Sequence, residues 1–541
     1  MAKSSSLRLI IILLLTNFNL LLAQKDPSES LNLKTVFNWH NLDSEADKIN
    51  GISTEKAYEM LLKNKKSKTV TVAIIDSGVE IDHIELHGKI WVNEKEIKNN
   101  GIDDDGNGYI DDINGWDFLG NSKGEDLSHE SLELTREYVK FGRLIENIDP
   151  TKATKEEKEQ IETYKNLKQK YEKRLEEIEN QGGRYYLQLY ENFKQAQSYL
   201  ISEFKVEKIT TEILDQISLV SSEKLQRAKK IYKILEEVNL DEESLYEGYD
   251  HFNSLINYGL NEDFDGRKEI VGDNPMYLNE LGYGNNEVEG PDAKHGTHVA
   301  GIVAANRENN IGTKGIGNDI KIMAIRAVPD GDERDKDVAN AIRYAASNGA
   351  QVINMSFGKP YSPNKEYVDE AIKFAESKGV LMIHGAGNDN LNLDNEKSFP
   401  NKFYSNGDYC KTWLDIGAIS WKTGNDLVAE FSNYGHKTVD VFAPGVDIYS
   451  LGIEGKYKEM SGTSMAAPVV TGLAALLMSY YPQLTAVQII DILMNSSTKL
   501  GNREVYIPGK TSTTAFKNLS VSGGIVNTYN AILLADKITN N

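Results

Sequence analysis

The stretch Val70-Thr71-Val72-Ala73-Ile74-Ile75-Asp76-Ser77-Gly78 decides the fold of this chain. Its first six residues are apolar or β-branched, and such a run without a charge predicts a buried strand over 70–75. The strand ends at Asp76-Ser77-Gly78, which places a carboxylate directly after a buried segment.

Strands and helices alternate further along the chain. Strands are predicted at 320–326, 352–355 and 380–384, with helices near 337–347 and 367–377 between them. Strands separated by helices of about ten residues indicate a parallel sheet that is covered on both faces. The sequence therefore predicts an α/β fold, in which polar residues that follow the strands occupy the usual place for a functional site.

The middle of the chain, about 120–290, has a different composition. Its segment 155–180 is rich in Lys, Glu and Gln, and helices are predicted over 155–180, 185–204 and 222–238. We interpret 120–290 as a charged helical insertion. It either packs only on itself in solvent or serves as a cleft cover, a folding aid or a partner-binding arm. Apolar residues at spacings of three and four form one stripe on the first helix, namely Ile161, Tyr164, Leu167, Tyr171, Leu175 and Ile178.

Residues 1–23 have the pattern of an export signal that is cleaved before Gln24. Lys3 and Arg8 supply positive charge, and the apolar run 9–15 follows. An uncleaved anchor is the alternative, but polar residues at 16–19 interrupt the run well short of the ~20 apolar residues that a spanning helix needs. We therefore expect a secreted or periplasmic protein with no stable membrane span after signal removal.

Net charge and cysteine content exclude several classes of protein. The formal net charge of −21 argues against nucleic acid as a partner, because a phosphate-binding surface needs clustered Lys and Arg. Cys410 is the only cysteine, so the chain cannot form an intramolecular disulfide. A lipid anchor on a new amino-terminal cysteine is excluded for the same reason. Reinforcement outside the cell must then come from core burial or from bound metal.

Three segments carry the residue types that a hydroxyl nucleophile needs to cleave a peptide bond. A serine needs an imidazole to take its proton, and the imidazole needs an acceptor at its other nitrogen. The segments are 72–78, His295-Gly296-Thr297-His298-Val299-Ala300-Gly301 and Ser461-Gly462-Thr463-Ser464-Met465-Ala466-Ala467-Pro468. In this order of Asp, His and Ser they resemble the subtilisin-like serine peptidases.

The resemblance covers about 38–120 and the chain from residue 295 onward. It implies a subtilisin-like three-layer α/β fold with a mostly parallel central sheet, in which 24–119 and 291–541 form the peptidase domain around the insertion. It also implies an endopeptidase that acts on protein or peptide substrates through an acyl-enzyme on Ser464, with His295 as general base and Asp76 as the residue that orients the histidine. A catalytically inactive relative that binds peptides or acts as a surface scaffold is the alternative.

Other readings of the same motifs explain fewer residues. Asp-Ser-Gly also occurs in aspartic peptidases, but those need two such carboxylates in one site, and this chain has one such tripeptide. His295 and His298 would share a helix face as zinc ligands do, yet the glutamate and the third ligand of such sites do not accompany them. We therefore predict His295 as the base and His298 as a packed structural histidine. No Gly-x-Ser-x-Gly elbow is present, which weakens an esterase assignment.

The resemblance assigns residues to the oxyanion and to the substrate. Ser464 precedes the apolar stretch 465–478, a predicted buried helix, so its N–H lies at a helix amino terminus where negative charge is stabilised. Asn388, in the run Gly385-Ala386-Gly387-Asn388, is the family's side-chain donor to the oxyanion. Asn354 to Gly358 resembles the segment that pairs with the substrate as an added strand. The residues that would border a roomy pocket for an apolar or aromatic side chain are Ser356, Phe357, Gly358, Ala386, Gly387, Asn388 and Ser398.

The acidic loop 99–112 resembles the first half of a calcium-binding loop. Oxygen-bearing residues alternate along it, and a glycine and an apolar residue follow at the expected positions. The closing glutamate is absent, since Asn114 stands at that position, and a solvated acidic turn is the alternative. We predict structural Ca²⁺, and no organic cofactor, with the ligands Asp103, Asp105, Asn107, Tyr109 and Asp111.

Overall fold

The computed structural model describes residues 37–218 and 220–540, and the predicted signal at 1–23 lies outside them. The chain forms two compact units. A helical unit comprises Leu134–Phe264, and a sheet unit comprises the described residues up to Glu133 together with those from Asp265 onward. The insertion boundaries at 120 and 290 stay predictions.

A nine-stranded sheet forms the centre of the sheet unit and confirms the predicted fold class. Its strand order is β10-β13-β7-β6-β5-β4-β1-β3-β2, and every neighbouring pair is parallel except β10 with β13. Two short antiparallel pairs, β8 with β9 and β11 with β12, complete the strands. The bounds are β1 Val70–Asp76, β2 Gly115–Asp117, β3 Ile320–Arg326, β4 Val352–Met355, β5 Leu381–Gly385, β6 Trp413–Ile419, β7 Val441–Pro444, β8 Ile448–Leu451, β9 Tyr457–Met460, β10 Thr498–Lys499, β11 Glu504–Tyr506, β12 Thr513–Ala515 and β13 Gly524–Ile525.

Helices occupy both units. Helices α2 to α7 belong to the helical unit. Helix α2 begins at Glu133, one residue before the first residue of that unit, and α7 continues as a π-helical turn over Ser254–Gly259. In chain order they are α1 Thr54–Ala57, α2 Glu133–Ile145, α3 Lys155–Asn180, α4 Gly183–Phe204, α5 Thr211–Gln216, α6 Glu223–Glu237, α7 Glu242–Asn253, α8 Gly266–Glu269, α9 Lys294–Ala304, α10 Asp335–Ser347, α11 Lys365–Ser377, α12 Thr463–Tyr480, α13 Ala486–Ser496 and α14 Thr528–Thr539.

Strand β1 shows why the sheet is covered on both faces. Successive side chains of a strand point to opposite faces. Val72 and Ile74 pack in one core cluster with α9, α12, α13 and α14, whereas Ala73 and Ile75 pack in a second cluster with α10 and α11. Burial on both faces explains why the sequence of β1 is apolar throughout rather than alternating.

Helix α12 lies at the centre of the first cluster. It is long and apolar enough to cross a membrane, but 89% of that window is buried inside the protein. Within the described residues it is the helix that meets this criterion, and its burial identifies it as a core helix.

The helical unit contains the three predicted helices, with bounds that differ by up to two residues in α4 and α6, and three helices, α2, α5 and α7, that were not predicted. Helix α3 has the predicted bounds and begins at a capping box, in which Thr154 accepts from the Glu157 N–H. Three residues of the predicted stripe, Leu167, Tyr171 and Ile178, are buried, but Leu175 is 37% exposed. The stripe that packs is therefore narrower than the one predicted from spacing.

A buried ion pair fixes the end of β3 beside β1 and β2. Arg326 and Asp117 side chains are 2% and 0% exposed, and Nη1 of Arg326 lies 2.9 Å from Oδ2 and 3.0 Å from Oδ1 of Asp117. Arg326 Nε also donates to the carbonyl of Ser77, directly after Asp76, at 3.0 Å. The guanidinium therefore joins three strand ends.

We expect Arg326→Leu to destabilise the sheet unit by about 3–5 kcal/mol, because it leaves the Asp117 carboxylate buried without its partner. Urea unfolding followed by tryptophan fluorescence measures this loss. The double variant Arg326→Leu with Asp117→Leu should lose less than the single variant. If Arg326→Leu unfolds at the wild-type urea concentration, the ion pair does not support the sheet.

Candidate active site

Three neighbouring strands of the sheet end at the same place. Ile75 of β1 is in register with Met355 of β4, and Met355 is in register with His384 of β5. Because all three strands are parallel, their next residues emerge side by side at the carboxyl edge of the sheet. The predicted site segments Asp76, 356–358 and 386–388 are therefore brought together.

Asp76 and His295 form a short hydrogen bond. Nδ1 of His295 donates to Oδ1 of Asp76 at 2.6 Å, and the side chains are 30% and 3% exposed, respectively. His295 lies in the first turn of α9, and Gly296 allows this helix to approach β1. A Cβ on residue 296 would lie 2.1 Å from the Gly78 carbonyl oxygen, so a side chain there would push the histidine away.

The surroundings of His295 favour its protonated form. Burial alone would lower the pKa of His295, but the charge and the hydrogen bond of Asp76 outweigh burial, and the pKa lies above its ordinary value. Because Nδ1 is held by Asp76, Nε2 is the nitrogen left to exchange a proton.

Ser464 lies in the first turn of α12, which packs against α9. Its hydroxyl donates to the Ser356 carbonyl oxygen at 3.1 Å, and the Ser356 hydroxyl donates to the Ser464 carbonyl oxygen at 2.9 Å. Among the described residues, the acceptor of the Ser464 hydroxyl is thus Ser356 rather than His295. Catalysis through His295 would require rotation of the serine side chain.

Asn388 is fixed through Thr463. Both the N–H and the hydroxyl of Thr463 donate to Asn388 Oδ1, at 2.8 and 3.0 Å. Because a backbone N–H can only donate, these bonds assign the amide oxygen and place Nδ2 on the other side. A Cβ built on Gly462 would lie 3.4 Å from that Nδ2 and 3.5 Å from the Ser464 N–H nitrogen. Two donors therefore flank one small space beside Ser464, and glycine at 462 keeps it open.

The predicted substrate segment contacts the predicted pocket. A Cβ on Gly358 would lie 3.3 Å from Ser398 Oγ, so these residues are neighbours. Ser398 also lines a cavity of 710 Å³ that the other predicted pocket residues do not border, and His384 and Asp415 line that separate cavity. Ala386 is buried, and the Gly387 N–H donates to Thr463 Oγ1 at 3.0 Å. The Phe357 carbonyl accepts from Nε2 of His384 at 2.8 Å, a contact that sequence reasoning missed.

The acidic loop brings two of the predicted calcium ligands, Asp103 and Asp105, together with a carboxylate from outside the loop. Carboxylate oxygens of Glu96, Asp103 and Asp105 lie within 4.8 Å of one another. Hydrogen bonds inside the loop involve the other predicted ligands as well, since Asn107 Nδ2 donates to Asp112 and Asp111 accepts from two backbone N–H groups. Glu96 is a carboxylate that the loop pattern did not include. Its position seven residues before Asp103 gave no signal within the loop pattern.

His298 is a structural residue, as predicted. It is fully buried and its Nε2 lies 3.0 Å from the carbonyl oxygens of Ile448 and Lys458. Burial, and then the nearby His295, lower the pKa of His298 to about 3. This histidine therefore holds β8 and β9 against α9 in its neutral form.

Comparison with known proteins identifies the family to which this chain belongs. Residues 67–509 match the peptidase S8 family model, described as the subtilase family, so the chain belongs to the subtilases. It is 42% identical over 186 residues to a thermophilic serine proteinase from Bacillus sp. (strain AK1), covering 34% of this chain and 42% of that protein. It is 35% identical over 217 residues to subtilisin DY of Bacillus licheniformis, covering 40% and 74%. A cell wall-associated protease of Bacillus subtilis (strain 168) is 36% identical over 228 residues, covering 42% of this chain and 23% of the relative.

Proposed function

We propose that the chain is a secreted serine endopeptidase that hydrolyses peptide bonds in protein or peptide substrates through an acyl-enzyme on Ser464. The observation that carries the proposal is the 2.6 Å bond between Asp76 and His295 at the sheet edge where Ser464 also lies. Membership of the subtilase family supports it. Export would follow from the signal at 1–23.

The proposed reaction begins when a substrate N–H pairs with the Ser356 carbonyl. That carbonyl is the present acceptor of the Ser464 hydroxyl, so substrate binding competes for it and frees the serine to turn toward His295. Nε2 of His295 then takes the hydroxyl proton as the oxygen attacks the substrate carbonyl carbon. The resulting oxyanion occupies the space between Asn388 Nδ2 and the Ser464 N–H. Losing one such donor typically costs about 10²–10³ in turnover.

Both halves of the reaction use the same histidine. The imidazolium, stabilised by Asp76, returns its proton to the leaving amine, and the peptide bond breaks to give the ester on Ser464. Water enters, loses a proton to His295 and attacks the ester. The second oxyanion collapses, the acid product leaves, and Ser464 regains its proton from the histidine.

One observation favours the alternative function, that of an inactive relative that binds peptides or acts as a surface scaffold. The Ser464 hydroxyl donates to Ser356, which does not activate it as a nucleophile. Chemical labelling separates the two functions, because only an activated serine reacts quickly with a fluorophosphonate.

We expect a fluorophosphonate to label the purified mature protein once per chain at Ser464, and mass spectrometry of the modified peptide identifies the site. Ser464→Ala should not label, whereas Ser356→Ala should label, because Ser356 is not the proposed nucleophile. A folded wild-type protein that stays unlabelled would reject the peptidase proposal and favour the inactive relative.

The pH dependence should follow His295. Its neutral form is the base, so kcat/KM should rise as pH increases through its raised pKa. Asp76→Asn removes the charge that raises the pKa of His295. The ascending limb of the pH profile, where kcat/KM rises, should therefore move to lower pH while turnover falls by about 10⁴. Asp292→Asn is a matched control, because Asp292 also raises the pKa of His295 but by a smaller effect. It should shift the limb slightly and keep turnover. An unmoved limb in Asp76→Asn would mean that another group controls the profile.

We also propose that Ca²⁺ binds in the acidic loop as a structural ion. Glu96, Asp103 and Asp105 offer carboxylate oxygens, which are the ligands that this hard cation prefers. With no disulfide available to the chain, a bound ion would reinforce the loop by binding only the folded state.

Addition of Ca²⁺ should raise the melting temperature of the wild-type protein. The free energy of unfolding should increase by about 2.7 kcal/mol when the ion is at a hundred times its Kd. Asp105→Asn keeps the size of the side chain and should abolish most of the gain. Glu94→Gln, an exposed acid two residues before Glu96, should retain it. Scanning calorimetry in Ca²⁺ and in chelator measures each gain, and equal gains in both variants would place the ion elsewhere.

A further inference from the structure

A second carboxylate–imidazole pair lies beneath the predicted substrate segment. His384, in β5, has Nδ1 2.9 Å from Oδ1 of Asp415 in β6 and Nε2 2.8 Å from the Phe357 carbonyl oxygen. The side chains of His384 and Asp415 are 3% and 8% exposed. The pair therefore contacts the backbone of the predicted substrate segment and has little contact with solvent.

Both ring nitrogens of His384 face acceptors. A carbonyl oxygen can only accept, so Nε2 must donate to Phe357. Burial alone would raise the pKa of Asp415, but the His384 hydrogen bond and the Lys402 charge lower it overall, so this carboxylate is an acceptor as well. Nζ of Lys402 lies 3.7 Å from Asp415 and 2.7 Å from Asp440, so this ammonium group joins the two carboxylates beside the pair.

The contact with His384 determines which groups of the segment face the cleft. The Ser356 carbonyl faces Ser464, and the next carbonyl, of Phe357, faces the opposite way toward His384. In a trans peptide unit the C=O and the following N–H point in opposite directions. With the Phe357 carbonyl turned inward, the Gly358 N–H points outward into the cleft. This alternation is what an added substrate strand needs.

We propose that His384, held by Asp415, is a positioning residue that keeps the Phe357 carbonyl turned away from the cleft and thereby presents the Gly358 N–H to an extended peptide. The proposal rests on the peptidase function. The peptide meant is an extended chain that reaches at least three residues before the cleaved bond, which is the form that an added strand takes. In such a strand Ser356 would pair with the first of these residues and Gly358, two residues further along, with the third.

Two variants separate the two nitrogens of His384. The amide nitrogen of glutamine is four bonds from Cα, as Nε2 of histidine is, so His384→Gln keeps a donor toward Phe357. The amide nitrogen of asparagine is three bonds from Cα, as Nδ1 is, so His384→Asn keeps a donor toward Asp415 and loses the one toward Phe357. The two substrates are esters with the same leaving group and the same residue directly before the cleaved bond. One is a single-residue ester, which ends before the third position, and the other is a four-residue peptide ester.

For His384→Asn we expect KM of the four-residue peptide to rise about tenfold, because one hydrogen bond to the substrate is lost, with kcat nearly unchanged. KM of the single-residue ester and the rate of fluorophosphonate labelling at Ser464 should stay at wild-type values. His384→Gln should restore the peptide KM to within about twofold of wild type. These results together would support a positioning role.

An unchanged ratio of peptide KM to ester KM in His384→Asn would overturn the proposal, as would an equal change for both substrates, which indicates general loss of structure. If His384→Asn does not fold, Asp415→Asn gives the same test, with a smaller rise in the ratio expected and an unchanged ratio again overturning it. Failure of the peptidase function itself appears differently, as a wild-type protein that turns over neither substrate.

Discussion

The in-register parallel pairing of β1, β4 and β5 is the constraint on which the site depends. Backbone hydrogen bonds between these strands fix their carboxyl ends at one level of the sheet. Asp76, the predicted substrate segment after β4 and the predicted oxyanion segment after β5 then emerge from three neighbouring strands at the same edge of the sheet. A slip of one residue in any strand would also turn its side chains to the opposite core cluster, so core packing and site geometry are specified together.

Short links to backbone atoms complete the site. Thr463 joins the amino terminus of α12 to Asn388, and Ser356 and Ser464 each donate to the other's carbonyl. In each link at least one partner is a backbone group, whose position is set by a strand or a helix. Such a site loses little side-chain entropy when it forms, and its donors are in place before substrate arrives.

Strands with buried runs were predictable from the sequence, and β3 and β4 have the predicted bounds. Because both faces of these strands are buried, their sequences are mostly apolar and do not alternate with polar residues as those of half-exposed strands do. Strand β5 is displaced by one residue from its predicted position, because the apolar run also includes the buried Val380 that precedes the strand. In α3 the spacing predicted burial of Leu175, but helix spacing shows which residues share a face and not how wide the contact is.

The candidate site was predictable where each residue lies in a motif. The three motifs indicated Asp76, His295 and Ser464, and the 2.6 Å bond between the first two is a contact that such motifs together imply. Contacts of residues outside these motifs were not predictable. The approach of Glu96 to Asp103 and Asp105 depends on how the loop folds back, and the contact of His384 with Phe357 depends on the neighbouring strands β4 and β5.

The two carboxylate–imidazole pairs differ in what their second nitrogen faces, and this difference separates proton transfer from positioning. His295 is 30% exposed and leaves Nε2 toward the cleft, so it is able to gain and lose a proton during a reaction. His384 is 3% exposed, and its two ring nitrogens lie 2.9 Å from Asp415 Oδ1 and 2.8 Å from the Phe357 carbonyl oxygen, so the ring is held between two buried neighbours. In our proposal the same chemical pair therefore acts as a base where one imidazole nitrogen is left exposed and as a fixed support where both nitrogens contact buried acceptors. The exposure of the second nitrogen, rather than residue type, distinguishes the roles proposed for the two histidines.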